Sequence, residues 1–320
     1  MSASMDARSE PELQPPAADP QAADPGAAAP SKLMIWVAAV RPKTLTASLA
    51  PVGVGVALAA ADGRFDPVLG LATLLGALLI QIGTNFYNDY ADFVKGADTE
   101  DRIGPARATA KGWVSPGQTL GASIGAFTGA LIVGMGLVAV GGLPILAIGL
   151  SGVICGFAYT GGPYPLAYVG LGDLFVLIYF GIAAVCGTYY LQTGGLTPTA
   201  IVASVMVGLH ATAILVVNNL RDRETDAVAG KRTLVVRLGP GAARAQFALC
   251  LLLPFAWPPV AWLRGELDAS ALLVELALLP GLVVLRQVFT RDGAELNPLL
   301  GRTALIGLLW AALFSAGVLL

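Results

Sequence analysis

The sequence has few charged residues, few cysteines and a single histidine, and each scarcity excludes a class of protein. Charged side chains make up 12% of its 320 residues, about half the roughly 25% of an ordinary soluble domain. The three cysteines lie within apolar runs and form no disulfide framework, and His210 has no second histidine to share a metal. A net charge of −2 argues against nucleic-acid binding. A soluble globular enzyme is excluded as well.

Apolar residues, in contrast, are abundant, at 56% of the chain with a mean hydropathy of +0.72. A helix needs roughly 20 residues to cross a membrane core of about 30 Å, and β-barrel strands would be shorter and alternating. Nine apolar segments approach that helical length, at 45–61, 66–87, 118–140, 143–160, 171–191, 199–219, 241–263, 268–286 and 302–320. The sequence therefore predicts an all-α integral membrane protein, a bundle of nine transmembrane helices.

The ends of the chain indicate its domains and orientation. Residues 1–31 are rich in Pro, Ala, Asp and Glu and predict a disordered cytoplasmic tail, followed by one transmembrane domain at 32–320. With nine spans, every lysine and arginine except Arg64 and Arg264 falls on one side, which the positive-inside rule assigns to the cytoplasm. We expect a multi-pass protein of a bacterial-type plasma membrane, with the N-terminus and the opening of the active site cytoplasmic and the C-terminus outside.

Two carboxylate motifs end two of these spans on the predicted inner side. The first is Asn-Phe-Tyr-Asn-Asp-Tyr-Ala-Asp at 85–92 and the second is Asn-Asn-Leu-Arg-Asp-Arg-Glu-Thr-Asp at 218–226. Positions three, four and seven apart share a helix face, so each motif projects an amide and two carboxylates in one direction. Converging carboxylates suit Mg²⁺, which also binds substrate phosphates. The two motifs predict a diphosphate site, whereas one alone would fit helix capping and loop solvation equally well.

The paired motifs resemble the UbiA superfamily of intramembrane prenyltransferases. Residues 92–105 and 229–239 are similar to the branch that acts on 1,4-dihydroxy-2-naphthoate in menaquinone synthesis. The resemblance covers 33–320 and implies nine transmembrane helices and Mg²⁺-dependent transfer of a polyprenyl chain from an allylic diphosphate, with loss of diphosphate and CO₂. Many members carry a third carboxylate where this chain has Phe93. Asp92 is the nearest acid, and Asp98 is a further candidate.

The resemblance also implies roles for individual residues. The expected catalytic carboxylates and metal ligands are Asp89, Asp92, Asp222 and Asp226. The expected diphosphate-binding residues are Asn85, Asn88, Lys95, Asn219, Lys231, Arg41 and Lys43. For the acceptor, Asp173 is a candidate to orient or deprotonate a hydroxyl, and Tyr159 and Tyr164 are expected to line the pocket. For Tyr168, a place among the aromatic residues of the membrane interface is favoured over a role in the acceptor pocket. For Arg107, an ordinary positive charge on the cytoplasmic side explains its position at least as well as a role in the site.

Two other functions stay open at this point. One is a sister prenyltransferase acting on 4-hydroxybenzoate or another aromatic ring. The other is a secondary transporter, although its site would lie near the membrane midplane and not at the ends of spans. The expected partners are a polyprenyl diphosphate, an aromatic acceptor and membrane lipid, with neither nucleic acid nor an obligate protein partner.

Overall fold

The computed structural model describes residues 31–97, 103–105 and 107–320, with Lys43 described by its backbone alone. Every regular element in these ranges is helical, which confirms the all-α prediction. The predicted tail lies, apart from Ser31, outside the described residues, as does Asp98. Ser31 caps the first helix by accepting a hydrogen bond from the backbone N–H of Met34.

Eleven α-helices form the described part of the chain. They are α1 (Lys32–Val40), α2 (Pro42–Ala61), α3 (Pro67–Val94), α4 (Pro116–Ala158), α5 (Gly172–Leu177), α6 (Ala184–Thr193), α7 (Pro198–Arg221), α8 (Arg223–Val228), α9 (Leu234–Leu263), α10 (Leu278–Thr290) and α11 (Asn297–Leu319). A π-helical turn, Ile178–Ala183, joins α5 to α6, and 3₁₀ segments precede α10 and α11. Within the described ranges, eight helical segments are long and apolar enough to cross a membrane.

The length of α4 explains why the described ranges have eight helical segments of membrane-spanning length, whereas nine were predicted. A straight helix of 43 residues would be about 65 Å long, roughly twice the membrane core. The backbone is not helical at Gly142, with φ 64° and ψ −150°. The two arms lie side by side, since the rings of Phe127 and Phe157 are 4.5 Å apart. The predicted segments 118–140 and 143–160 correspond to these arms, and nine membrane crossings stay a prediction.

The helices that carry the two motifs end differently. Asp66 caps α3 by accepting from the N–H groups of Val68 and Leu69. The helix then continues past the predicted span end at 87, so the whole first motif is helical. α7 stops at Arg221, and Asp222 separates it from the short α8. The second motif is therefore divided between two helices.

The core is centred on α7, which packs against α2, α9 and α11, while α3 lies along α4. Trp310, Phe247 and Phe314 are fully buried in it. Small residues allow the π-helical turn to pack closely against α7. A Cβ on Gly181 would lie 2.6 Å from the Cα of Gly208. This packing places the ends of α3 and α7 at the same end of the bundle.

Candidate active site

The two amides of the first motif fasten the end of α3 to neighbouring segments. Asn85 donates to the carbonyl of Val40 at 2.9 Å and to the hydroxyl of Thr44 at 3.1 Å. Its amide therefore contacts the junction of α1 and α2. One turn later, Asn88 accepts from the hydroxyl of Thr160 at 2.8 Å, in the loop after α4. Both amides are buried and hold this helix end in place.

Asp89 is 2% exposed, and its two oxygens have different surroundings. Oδ2 accepts from the hydroxyl of Thr109 at 3.2 Å, and Thr109 is hydrogen-bonded to Thr119 at 2.8 Å. Oδ1 accepts no hydrogen bond from the described residues and has the Nε of Arg107 at 3.8 Å. A buried oxygen without a hydrogen bond is costly, so Oδ1 is available to a cation.

Asp92, 1% exposed, is compensated by groups from three other segments. Its Oδ2 lies 2.7 Å from Nη2 of Arg107 and 3.3 Å from Nζ of Lys231. Its Oδ1 accepts from the hydroxyl of Tyr168 at 2.9 Å. Arg107 also donates to the carbonyl of Asn88 at 2.7 Å. A buried carboxylate is tolerated when it is paired and hydrogen-bonded in this way.

Asp222 of the second motif is held by the residue beside it. Arg221 donates to both carboxylate oxygens, at 2.7 and 2.5 Å, in a bidentate pair. The same guanidinium donates to the amide oxygens of Asn218, at 2.9 Å, and Asn297, at 3.2 Å. Asn297 in turn donates to the carbonyl of Ile103 at 3.0 Å. Arg221 thus connects the second motif to α11 and to the segment that follows the first motif.

Lys231 joins the two motifs. Its Nζ lies 3.3 Å from Asp92 of the first motif and 3.8 Å from Oδ1 of Asp226 of the second. The ring of Tyr168 lies beside it, with its centre 5.1 Å from this nitrogen and 4.6 Å from Nζ of Lys95. Both ammonium groups gain cation–π attraction from this ring. Lys95 also donates to the carbonyl of Thr160.

Two loops are fastened together to hold Tyr168 and Lys231 in place. The N–H of Arg232 donates to the carbonyl of Tyr168 at 2.9 Å. Arg237 donates to the carbonyls of Arg232, at 2.9 Å, and Val169, at 2.7 Å. Gly170 has φ +78°, and a Cβ there would lie 2.9 Å from the carbonyl oxygen of Arg232. Only glycine fits this contact without strain.

Burial changes the pKa of three groups in or next to the polar cluster, which consists of Asp92, Lys95, Tyr168, Asp226 and Lys231. Burial lowers the pKa of Lys95, although the charge of Asp92 opposes this change. Burial raises the pKa of Tyr168, as do the charge of Asp92 and the hydrogen bond to it. Burial also raises the pKa of Tyr159. Both phenols therefore stay protonated at neutral pH, and that of Tyr168 donates to Asp92.

An apolar cavity of about 720 Å³ begins beside this polar cluster. Its walls come from α2, α3, both arms of α4 and the continuous segment α5–α6. Thr84 and Tyr159 line the end next to the motifs. Leu137, Ile145 and Leu191, which form a buried cluster, lie at the far end. The arrangement is a charged mouth on a long apolar pocket.

The family follows from the sequence that builds this mouth and pocket. A sequence model of the UbiA prenyltransferase family matches residues 48–306, which include both motifs and the cavity walls. The chain belongs to the UbiA prenyltransferase family.

Several UbiA proteins are similar to it over most of their length. It is 38% identical to 1,4-dihydroxy-2-naphthoate octaprenyltransferase of Escherichia coli, over 91% of this chain and 96% of that one. It is 34% identical to the protein of the same name from Mycobacterium tuberculosis, over 86% and 94%. UbiA prenyltransferase domain-containing protein 1 of Gallus gallus is 31% identical, over 90% and 86%.

Solved structures of UbiA homologues share the fold. One from Archaeoglobus fulgidus, bound to DMAPP and Mg²⁺, has a TM-score of 0.63 at 16% identity and covers 88% of this chain and 99% of its own. An apo structure from Aeropyrum pernix has a TM-score of 0.65 at 16% identity, over 85% and 97%. Together with the apolar helices, these likenesses confirm a multi-pass membrane protein of the UbiA fold.

Most of the predicted residues of the UbiA site are found around the cluster. Those in direct contact with one another or with the loops after α3 and α4 are Asn88, Asp89, Asp92, Lys95, Asp226 and Lys231. Asn85 contacts the α1–α2 junction, and Asp222 is paired with Arg221. Asn219 is buried near the end of α7. Arg41 lies at the α1–α2 junction with φ 58°, whereas the side chain of Lys43 is outside the described part.

The predicted acceptor residues are divided. Tyr159 lines the cavity, and Asp173 is buried beside it, accepting from Gln246 at 2.9 Å. Tyr164 is 79% exposed and is not brought to the cavity with Tyr159. Whether any of these residues touches an acceptor stays a prediction.

Sequence reasoning undervalued three residues of the cluster. The interpretation of Tyr168 as an interfacial aromatic is wrong, since it contacts Asp92 and both lysines. Arg107 is not ordinary positive-inside charge, because it is buried against two carboxylates. Arg221 received no role, although its position directly before Asp222 was a signal for pairing. Nothing in the spacing of Arg107 could have indicated its partners.

The residues present fit a divalent cation bound through oxygen. Asp89 Oδ1 is buried without a hydrogen bond, and carboxylate and amide oxygens are the ligands that Mg²⁺ prefers. In the described ranges, no three acidic, histidine or cysteine side chains converge on a single point. The basic side chains of Arg107 and Lys231 lie between the carboxylates that would have to converge.

Proposed function

We propose that this UbiA protein transfers a polyprenyl chain from an allylic diphosphate to 1,4-dihydroxy-2-naphthoate, with loss of diphosphate and CO₂, giving demethylmenaquinol, the reduced form of demethylmenaquinone. The observation that carries the proposal is the link from Asp92 through Lys231 to Asp226 at the mouth of the apolar cavity. The naphthoate acceptor is supported by the relatives that match over more than 85% of this chain.

The charged mouth supplies the groups that a diphosphate needs. Asp89, Asp92, Asp222 and Asp226 would hold Mg²⁺, which supplies Lewis-acid stabilisation of the departing diphosphate charge. Lys95, Lys231 and the buried Arg107 can donate to the phosphate oxygens. UbiA homologue structures bound to DMAPP and to GPP with Mg²⁺ are consistent with this assignment.

The apolar cavity binds the prenyl chain and keeps water from the reacting carbon. The C–O bond to the diphosphate breaks, and the allylic carbon bonds to the ring carbon that carries the carboxylate. Release of CO₂ returns the bonding electron pair to the ring and restores its aromaticity. We infer that the ring of Tyr159, at the cavity end next to the motifs, stabilises the allylic cation, and Asp173 beside it is the candidate to orient the acceptor hydroxyl.

We also propose that the end of the bundle bearing the motifs faces the cytoplasm. The support is the distribution of basic residues: among those that the structure describes, only Arg64 and Arg264 lie toward the opposite end. Cysteine labelling of single-cysteine variants at 64 and 223 in sealed cells tests it. A membrane-impermeant reagent should label the first site and spare the second.

The decisive experiment is turnover by purified protein in detergent. We expect mass spectrometry to show a prenylated, decarboxylated product with 1,4-dihydroxy-2-naphthoate and none with 4-hydroxybenzoate. Product with 4-hydroxybenzoate alone would make the protein a sister enzyme. No product with any acceptor, together with uptake into sealed vesicles, would indicate a transporter.

Metal dependence is tested in the same assay. Chelation should remove turnover and Mg²⁺ should restore it. Ca²⁺ should restore it poorly, because it prefers longer contacts and more ligands than the roughly 2.0–2.1 Å octahedral shell of Mg²⁺. Full turnover after exhaustive chelation would contradict the assignment of the four aspartates.

A further inference from the structure

Lys231 occupies an unusual place for a residue expected to bind a diphosphate. Its side chain is 13% exposed, and its Nζ lies between Asp92 and Asp226, at 3.3 and 3.8 Å. These two aspartates are also candidate metal ligands, one from each motif. A single ammonium therefore contacts both halves of the site that a divalent cation would use.

The backbone fixes this position. The N–H of Lys231 donates to the carbonyl of Asp226 at 2.8 Å, and that of Arg232 donates to the carbonyl of Tyr168 at 2.9 Å. Gly230, with φ +72°, turns the chain after α8 toward Asp92. Lys231 is thus held on both sides and is not a mobile surface lysine that rests on the nearest carboxylate.

We propose that Lys231 competes with divalent cations for Asp92 and Asp226, so that metal binds tightly only when a diphosphate offers Lys231 another anion. The inference deepens the proposed function and rests on it. Two positive charges that share the same carboxylates repel each other strongly where water is largely excluded. The contact with Lys231 therefore opposes metal binding, and its removal by a diphosphate favours it.

The surroundings of Lys231 allow such a move. The ring of Tyr168 lies 5.1 Å from its Nζ and offers a second favourable contact for the ammonium. Arg107 keeps its 2.7 Å ion pair with Asp92, so that carboxylate stays neutralised while Lys231 leaves it. Coupling between two ligands is reciprocal. If diphosphate raises the affinity for metal by some factor, metal must therefore raise the affinity for diphosphate by the same factor.

The test is a metal titration of the purified full-length protein without any prenyl diphosphate. Mn²⁺ binding is measured by calorimetry and by electron paramagnetic resonance for the wild type and for Lys231→Met. We expect Mn²⁺ to bind about tenfold more tightly to Lys231→Met, because one competing unit charge has been removed. Geranyl S-thiolodiphosphate, an unreactive analogue, should bind this variant more weakly in the absence of metal.

Two further variants make the result specific. Lys231→Arg keeps the charge and should leave Mn²⁺ affinity close to that of the wild type. Arg223→Met removes a basic residue at the start of α8, whose ion pair is with the exposed Glu224, and it should change neither affinity. Melting temperatures of all variants in detergent verify that each is folded.

The outcomes separate this inference from the proposed function. Unchanged or weaker Mn²⁺ binding to folded Lys231→Met overturns the competition, even if the wild type is an active prenyltransferase. If Arg223→Met also bound Mn²⁺ more tightly, the effect would follow from the loss of any positive charge in this region. That outcome would overturn the competition as well. Tighter Mn²⁺ binding specific to Lys231→Met supports it, and the detergent turnover assay then tests the prenyl transfer separately.

Discussion

The two carboxylate motifs look alike in sequence, but their partners differ. Asp89 and Asp92 are held by residues far along the chain, such as Thr109, Tyr168 and Lys231. Asp222 is held by its neighbour Arg221. The first motif is therefore formed only when several loops have come together, whereas the second carries its main partner with it.

This contrast indicates different tolerances to change. Asp92 shares its charge among two cations and a phenol, so the loss of one partner leaves the others in place. Both oxygens of the Asp222 carboxylate accept from one guanidinium, so the loss of Arg221 removes both of these hydrogen bonds together. Asp92 is therefore supported redundantly, whereas Asp222 depends on Arg221.

The largest expected effect is the same for both motifs and so runs against their contrast in partners, since both must contribute to catalysis. Asp89→Ala and Asp222→Ala should each lower kcat by more than about a hundredfold, because changes in the partners of metal ligands alone cost about 10–100-fold. Steady-state turnover in detergent measures it, with folding checked by melting temperature. Near-normal rates at saturating Mg²⁺ in either variant would remove that motif from the site.

The two motifs should also differ in how much stability is lost when one arginine partner is removed. Arg221→Met leaves Asp222 buried without its cation and should destabilise the fold by about 3–5 kcal/mol. Arg107→Met should cost less, because Asp92 keeps Lys231 and Tyr168. Thermal unfolding of the two variants in the same detergent compares them. A larger loss for Arg107→Met would show that the first motif is the less redundant one.

A smaller effect is expected at Tyr168, whose hydroxyl donates to Asp92 of the first motif. Tyr168→Phe keeps the ring beside the lysines and removes one hydrogen bond to a carboxylate, worth about 1.5–3 kcal/mol. Turnover at low prenyl diphosphate should fall roughly tenfold or more. Tyr190→Phe, near the far end of the cavity, is the matched control. Equal losses in both variants would contradict a specific role for the Tyr168 hydroxyl.

The smallest effect is expected far from both motifs. Arg64 is exposed between α2 and α3, and its replacement by alanine should change stability by no more than about 0.5 kcal/mol. Turnover should stay at the wild-type level. A clear loss of turnover would mean that the chemistry is not confined to the end of the bundle that bears the motifs.

The sequence predicted what depends on local spacing. The helical class, the two arms of α4 and the carboxylates came from apolar length and from residues three and four apart. The partners of those carboxylates depend on how loops fold over them, which spacing does not encode. Arg107 lies 15 residues after Asp92, and only the folded loop shows that their side chains meet.

The π-helical turn at Ile178–Ala183 has a consequence for how the cavity wall can vary. Residues 175, 179, 183, 187 and 191 all line the cavity, a four-residue step that in a regular α-helix would drift by about 40° each time. The wider turn absorbs much of that drift and keeps both halves of the segment in register with the pocket. Deleting one residue there would rotate Gly187 and Leu191 away from it. The length of this turn, more than its composition, therefore determines whether the wall stays continuous.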